Sequence, residues 1–143
     1  EAAAAASEGS IAHHFYLRIT PEGLVIEIIE ADDEPLFASA SAAPAPLLPL
    51  LIEVLAPVLQ TTSNAIAVVG HTDAVPFGGA HYSNWELSAD RANAARRLLI
   101  GAGLPEDRIS RVTGKAAVEP LVPDPLAPQN RRISVTLLRE DVR

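Results

Sequence analysis

Two β-rich runs, Phe15 to Thr20 and Leu24 to Glu30, stand on either side of Pro21-Glu22-Gly23. Proline sets its own φ and glycine accepts a positive one, so the triplet reads as a turn and the runs as a hairpin. In the second run Leu24, Ile26 and Ile28 share one side and Val25, Glu27 and Ile29 the other, the pattern of a strand covered mainly on one face. The stretch from Ala31 to Pro46 is acidic, then rich in Ala, Ser and Pro, and predicts a loop with Leu36 and Phe37 as its large anchors. From Leu47 to Thr61 the apolar residues cluster as in a helix. Pro49 is tolerable near its start, whereas Pro57 lacks an N–H and predicts a kink or an early end. Ala65 to Gly70 is apolar throughout, as in a strand buried on both faces.

Ser83-Asn84-Trp85-Glu86 has the spacing of a capping box, a hydroxyl followed three residues later by a glutamate, and it precedes a helix-forming run to about Ala102. Leu87, Ala94, Leu98 and Ala102, joined by Ala95 and Leu99, make its apolar stripe. Gly101, Gly103 and Pro105 end it. Arg108 to Gly114 is β-like, Glu119 to Gln129 carries four prolines and must be loop, and Ile133, Val135 and Leu137 alternate cleanly within Arg132 to Leu138. The order is hairpin, helix, strand, helix, strand, strand, which predicts an α/β (α+β) sandwich with helices over one face of a mixed sheet.

At 143 residues the chain suits one domain with a real core. Aromatics are only 4% of it, so that core has to be aliphatic. The opening EAAAAASEGS reads as a linker remnant, which sets an expected boundary of 1–14 for linker and 15–143 for the domain. A net charge of -7 repels polyanions and argues against nucleic acid as a partner. Prolines and Glu53 interrupt the most apolar window, so no membrane span is expected within the chain. The absence of cysteine removes disulfides, thiolate metal sites and thiol nucleophiles.

Three short motifs remain. Gly70-His71-Thr72-Asp73 follows the buried strand, Leu87-Ser88-Ala89-Asp90-Arg91-Ala92 lies in the first turns of the capped helix, and Asn130-Arg131-Arg132 opens the last strand. This pattern resembles the OmpA-like family of peptidoglycan-binding domains, and the wording YSNWELSADRANAARR resembles its flagellar motor stator branch, the MotB type. The resemblance extends from about Pro21 to Leu138 and implies a β-α-β-α-β-β fold that binds the diaminopimelate residue of the peptidoglycan stem without covalent chemistry. It implies that Asp73 and Arg91 contact the ligand. Those types suit a zwitterionic head group, since a carboxylate accepts from an ammonium and a guanidinium grips a carboxylate bidentately. Thr72 is a candidate for a hydroxyl or backbone contact. Arg131 or Arg132 either closes the pocket or pairs with Asp90 or Glu86. The resemblance further implies a periplasmic domain of an inner-membrane protein, a homodimer, and a MotA-type stator subunit met through a transmembrane part outside this chain. The alternative is a general envelope anchor of the OmpA or Pal kind.

Two departures from the family pattern stand out: the long loop Ala74 to Tyr82 with Gly78-Gly79, and Ala38, where many relatives carry Asp or Asn, which removes one polar contact. Without the motifs, Asp73 reads as a turn cap and Arg91 as a solvated helix residue. For Asn130 a turn role and a ligand role are equally open, and Trp85 reads as a packing residue beside the capping box. His71, Asp73 and His81 as a metal site, or His71, Asp73 and Ser88 as a hydrolytic triad, match no mechanistic spacing, so neither an enzyme, a metal nor a cofactor is expected. His13 and His14 adjoin the linker and are expected to lack partners.

Overall fold

The computed structural model describes residues 11–31, 33–77 and 81–141. Strands β1 (Phe15–Thr20) and β2 (Gly23–Ile29) form the expected hairpin, with Phe15 opposite Ile28 and Thr20 opposite Gly23. Helix α1 (Leu47–Gln60), β3 (Ile66–His71), helix α2 (Asn84–Gly101), β4 (Ile109–Gly114) and β5 (Arg132–Leu138) follow. The sheet order is β1-β2-β5-β3-β4. Only β3 and β4 run parallel, and α2 supplies the crossover that a parallel pair requires.

Ile26, Ile28, Ile66, Val68, Ile133 and Val135 turn towards the helices. They meet Leu48, Leu51, Ile52, Leu55 and Leu59 of α1 and Ala92, Ala95 and Leu99 of α2. The core is aliphatic, as the composition required, with Leu36 and Phe37 of the long loop buried in it. No helix among the described residues is long and apolar enough to cross a membrane.

Four local expectations are corrected. β2 is buried on both faces in its middle, because Glu27, with no exposure, is enclosed by Arg18, Arg132 and Ser134 on the side away from the helices. Pro57 does not end α1, which continues to Gln60. Pro57 and Glu53, whose carbonyl it leaves without an amide partner, both lie on the exposed side, where the freed carbonyl is open to solvent. Trp85, expected to pack beside the capping box, is half exposed. His13 and His14 both have partners: His13 meets Glu34 at 3.0 Å, and His14 is wholly buried, with its Nδ1 2.6 Å from the Ile29 carbonyl. Ile11 also packs on the core.

Candidate functional site

The site begins with a close contact between α2 and the sheet. Gly70 of β3 and Gly114 of β4 are partners in register. A Cβ on Gly70 would stand 2.0 Å from the Ser88 carbonyl oxygen, and one on Gly114 would stand 2.4 Å from the Ala89 nitrogen. Two bare strand positions therefore let the start of α2 lie directly on the sheet. Ser88 strengthens the contact, its hydroxyl donating to the Trp85 carbonyl at 3.0 Å and accepting from the Ala116 amide at 3.0 Å. The helix start is held by the capping box read from the sequence, in which Ser83 accepts from the Trp85 amide and Glu86 accepts from the Ser83 amide.

β3 leaves the sheet at Thr72 and Asp73, and these residues line a cavity of about 530 Å³ with Arg91 of α2. Phe37, Val75, Phe77 and Leu87 give it apolar walls, and Glu30, Asp73, Arg91 and Arg131 give it two negative and two positive side chains. Arg91 is almost fully buried, and its guanidinium lies 4.9 Å from the centre of the Phe37 ring. Its Nε donates to the Ser41 carbonyl at 2.8 Å and its Nη2 to the Ala38 carbonyl at 3.4 Å. Nη1 has no hydrogen-bond partner among the described residues, which leaves the Nη edge for a planar anion. Burial lowers the Arg91 pKa and the Glu30 carboxylate opposes that effect.

Asp73 is bound on both oxygens. Oδ1 accepts from the Val75 amide at 3.1 Å, and Oδ2 from Arg131 Nη1 at 2.6 Å. Arg131 also donates through Nε to Glu30 at 2.8 Å, and Glu30 accepts from the Leu36 amide at 3.2 Å. Burial works against the Arg131 charge, but its bonds to Glu30 and Asp73 outweigh it and raise the pKa. A carboxylate has about four acceptor positions, so Asp73 retains capacity for a cationic donor beside Arg131.

Of the residues singled out from the sequence, Asp73, Arg91, Thr72 and Arg131 therefore meet at one cavity. The Thr72 hydroxyl is turned inward and donates to the Asp73 carbonyl at 2.8 Å. Arg131, and not Arg132, faces the cavity; Arg132 points to the other side of the sheet, where Glu27 holds it at 3.0 Å. Neither arginine pairs with Asp90 or Glu86, since Asp90 takes the Tyr82 hydroxyl and Glu86 caps α2. Asn130 is a turn residue: buried, it accepts from the Leu121 and Val122 amides and donates to the Asp124 carbonyl, organising the proline-rich loop. Ala38 contributes a backbone carbonyl to Arg91 in place of a side chain. Gly78-Gly79 lies outside the described residues, while the parts of that loop on either side are tied down by an Asn84 to Val75 bond and a Phe77–Tyr82 ring contact. Glu30 escaped sequence reasoning; extending the β2–β5 register by one step places it beside Arg131, but nothing local signals which strands pair across a hundred residues.

His71 faces a different, smaller cavity of about 290 Å³ on the opposite side of the sheet, lined by Arg18, Lys115 and Ser134 among others. It therefore does not join Asp73 in a triad or a metal site, and Ser88 is committed to the backbone. His71 Nδ1 is buried with no hydrogen-bond partner among the described residues. Burial, helped by the positive charges of Arg132, Lys115 and Arg18, lowers its pKa to about 3. Unfolded histidine titrates near 6.5, so below that pH the unfolded chain takes up a proton that the folded chain refuses. The stabilisation is present above about pH 6.5 and is lost progressively as pH falls towards the folded value. From about pH 7 to about pH 5 His71 should cost about 2 kcal/mol of unfolding free energy. Urea denaturation at both pH values should show this loss, and His71→Gln should remove that part of the slope; an unchanged slope would contradict it.

Comparison with known proteins bears on the family and the fold. Motility protein B of Escherichia coli K12 is 42% identical over 132 residues, covering 89% of this chain, while the chain spans only 42% of that protein's length. The structure of the cell wall anchor of the T6SS from Pseudomonas aeruginosa superposes with a TM-score of 0.74 at 28% identity, covering 94% of each chain. The periplasmic domain of Helicobacter pylori MotB has the same fold, with a TM-score of 0.75 at 24% identity over 88% of this chain and 80% of that one. Residues 46–134, which contain α1, β3, Asp73, α2 with Arg91, β4 and the start of β5, match the OmpA family, and the chain belongs to that family.

Proposed function

We propose that this chain is a peptidoglycan-binding domain that anchors a flagellar stator to the cell wall, gripping the diaminopimelate head group of the stem peptide in the Asp73–Arg91 cavity. The observation that carries this reading is the pairing of an unspent guanidinium edge on Arg91 with a carboxylate on Asp73 in one cavity. A zwitterionic head group offers a carboxylate to the first and an ammonium to the second. Thr72 and Arg131 act on Asp73, one through its backbone and the other by orienting its carboxylate. The proposed task is binding without turnover, since the carboxylate and guanidinium that line the cavity are complementary charges for recognition. The periplasm as its location, a homodimer as its state and a MotA-type subunit as the partner of the longer protein belong to the same proposal, supported by the 42% identity to Motility protein B.

Cosedimentation with insoluble peptidoglycan tests it. The parent chain should pellet with the wall, and Arg91→Ala should bind at least about thirtyfold more weakly, as expected when one partner of a buried charge pair is removed. Asp73→Ala should weaken binding similarly. Equal binding by all three would remove the site, and release of soluble muropeptides would replace the anchor with an enzyme. The fold match to the T6SS cell wall anchor supports a general envelope anchor as a second reading. Restored motility when this domain replaces its counterpart in a stator protein separates the two.

A further inference from the structure

We propose that His13, His14 and Glu34 form a binding site for a divalent transition-metal ion, zinc by its ligand chemistry, which joins the segment before β1 to the turn after β2. One ligand atom from each of the three residues lies within 4.8 Å of the other two. His13 Nε2 is 3.0 Å from one oxygen of Glu34, and His14 Nε2 is 3.6 Å from the other.

The decisive group is His14. Its Nδ1 lies 2.6 Å from the Ile29 carbonyl, which only accepts, so Nδ1 carries the proton. In the neutral ring Nε2 is then a lone pair, and it is buried with no hydrogen-bond partner among the described residues. It stands 3.6 Å from a carboxylate oxygen of Glu34, lone pair facing carboxylate, and a cation bound between them makes that arrangement favourable. A proton on Nε2 serves poorly, since 3.6 Å exceeds a normal N–H···O distance. Two ligands of a tetrahedral zinc stand roughly 3.3–3.5 Å apart, so side-chain rotation alone has to draw together three ligand atoms that already lie within 4.8 Å of one another. The bond from Nδ1 to a backbone carbonyl is also the support that metal-ligating histidines commonly have.

The backbone presets the three groups. The Ile29 amide donates to the His14 carbonyl at 2.8 Å, extending the hairpin by one pair, and the Glu34 amide donates to the Ala31 carbonyl at 3.0 Å, closing the turn that carries the carboxylate. Two imidazoles and one carboxylate suit zinc with one position left open. From Glu34 the chain runs directly to Leu36, whose amide Glu30 holds, and to Phe37 in the cavity wall. The metal thus fixes the segment before β1 to the base of the ligand cavity.

Titration of the chelator-stripped chain with zinc chloride, followed by calorimetry, tests the site without reference to the cell wall. One zinc per chain is expected. His13→Ala and Glu34→Gln, at partly exposed positions that spare the core, should each weaken binding by at least about tenfold, and His81→Ala should leave it unchanged. Zinc should raise the thermal midpoint of the parent more than that of Glu34→Gln, as binding to the folded state requires. No saturable binding by the parent, or undiminished binding by both His13→Ala and Glu34→Gln, would overturn the proposal.

Discussion

Replacing Glu27 by alanine is expected to lower the unfolding free energy by about 3–5 kcal/mol, the range for breaking a buried ion pair from one side. Glu27 has no exposure and receives the Arg18 guanidinium at 2.8 Å, the Arg132 guanidinium at 3.0 Å and the Ser134 hydroxyl. Its removal leaves Arg132, itself buried, with a charge that has lost its counterion. A stability of 5–15 kcal/mol is typical of a single domain, so a loss of this size takes a large part of the total. Denaturant titration measures it. Combining Glu27→Leu with Arg132→Met should recover much of the loss, because two apolar groups of similar volume remove both charges from the interior. If Glu27→Ala lost less than about 1 kcal/mol, the cluster would be better hydrated than its burial indicates.

The second large effect is expected from Gly70→Ala. The added carbon meets a backbone carbonyl oxygen at 2.0 Å, so relief requires α2 to move away from the sheet. Overpacking ordinarily costs 1–3 kcal/mol, and a clash with backbone belongs at or above the upper end, about 3 kcal/mol. The same shift would separate Arg91 on α2 from Asp73 at the end of β3, so wall binding should fall along with stability. Gly101→Ala is the internal control. Nothing lies within 4 Å of its added carbon, and it should be neutral or stabilising by up to about 1 kcal/mol. Equal midpoints for the two variants would mean that α2 is not held by the contact with Gly70.

The elements were legible in the sequence wherever they rested on local chemistry. The Ser83–Glu86 capping box, the Pro-Glu-Gly turn and the alternation of β5 each depend on neighbours a few residues apart, and each is present in the fold. The candidate site was legible as far as its motif side chains reach: Asp73, Arg91, Thr72 and Arg131 do line one cavity. What was hidden depended on distant pairing or on backbone. Glu30 joins the site only because β2 and β5 are neighbours, and Ser41 and Ala38 hold Arg91 through carbonyls that every residue type possesses. His14 looked like part of a linker because its burial is created by Ile29 and Glu34, fifteen and twenty residues further on. Pro57 follows a local rule, but whether the helix continues past it depended on which side of α1 faces water.

Recognition of the diaminopimelate head group is tested by a calorimetric titration of the purified chain with a soluble stem peptide containing diaminopimelate, alongside the same peptide containing lysine. Lysine keeps the ammonium proposed to meet Asp73 but lacks the carboxylate proposed to meet Arg91. Saturable binding of the first peptide is expected, with at least about thirtyfold weaker binding of the second and little discrimination between them by Arg91→Ala. Equal affinity of the parent chain for both peptides, or discrimination that survives Arg91→Ala, would contradict it.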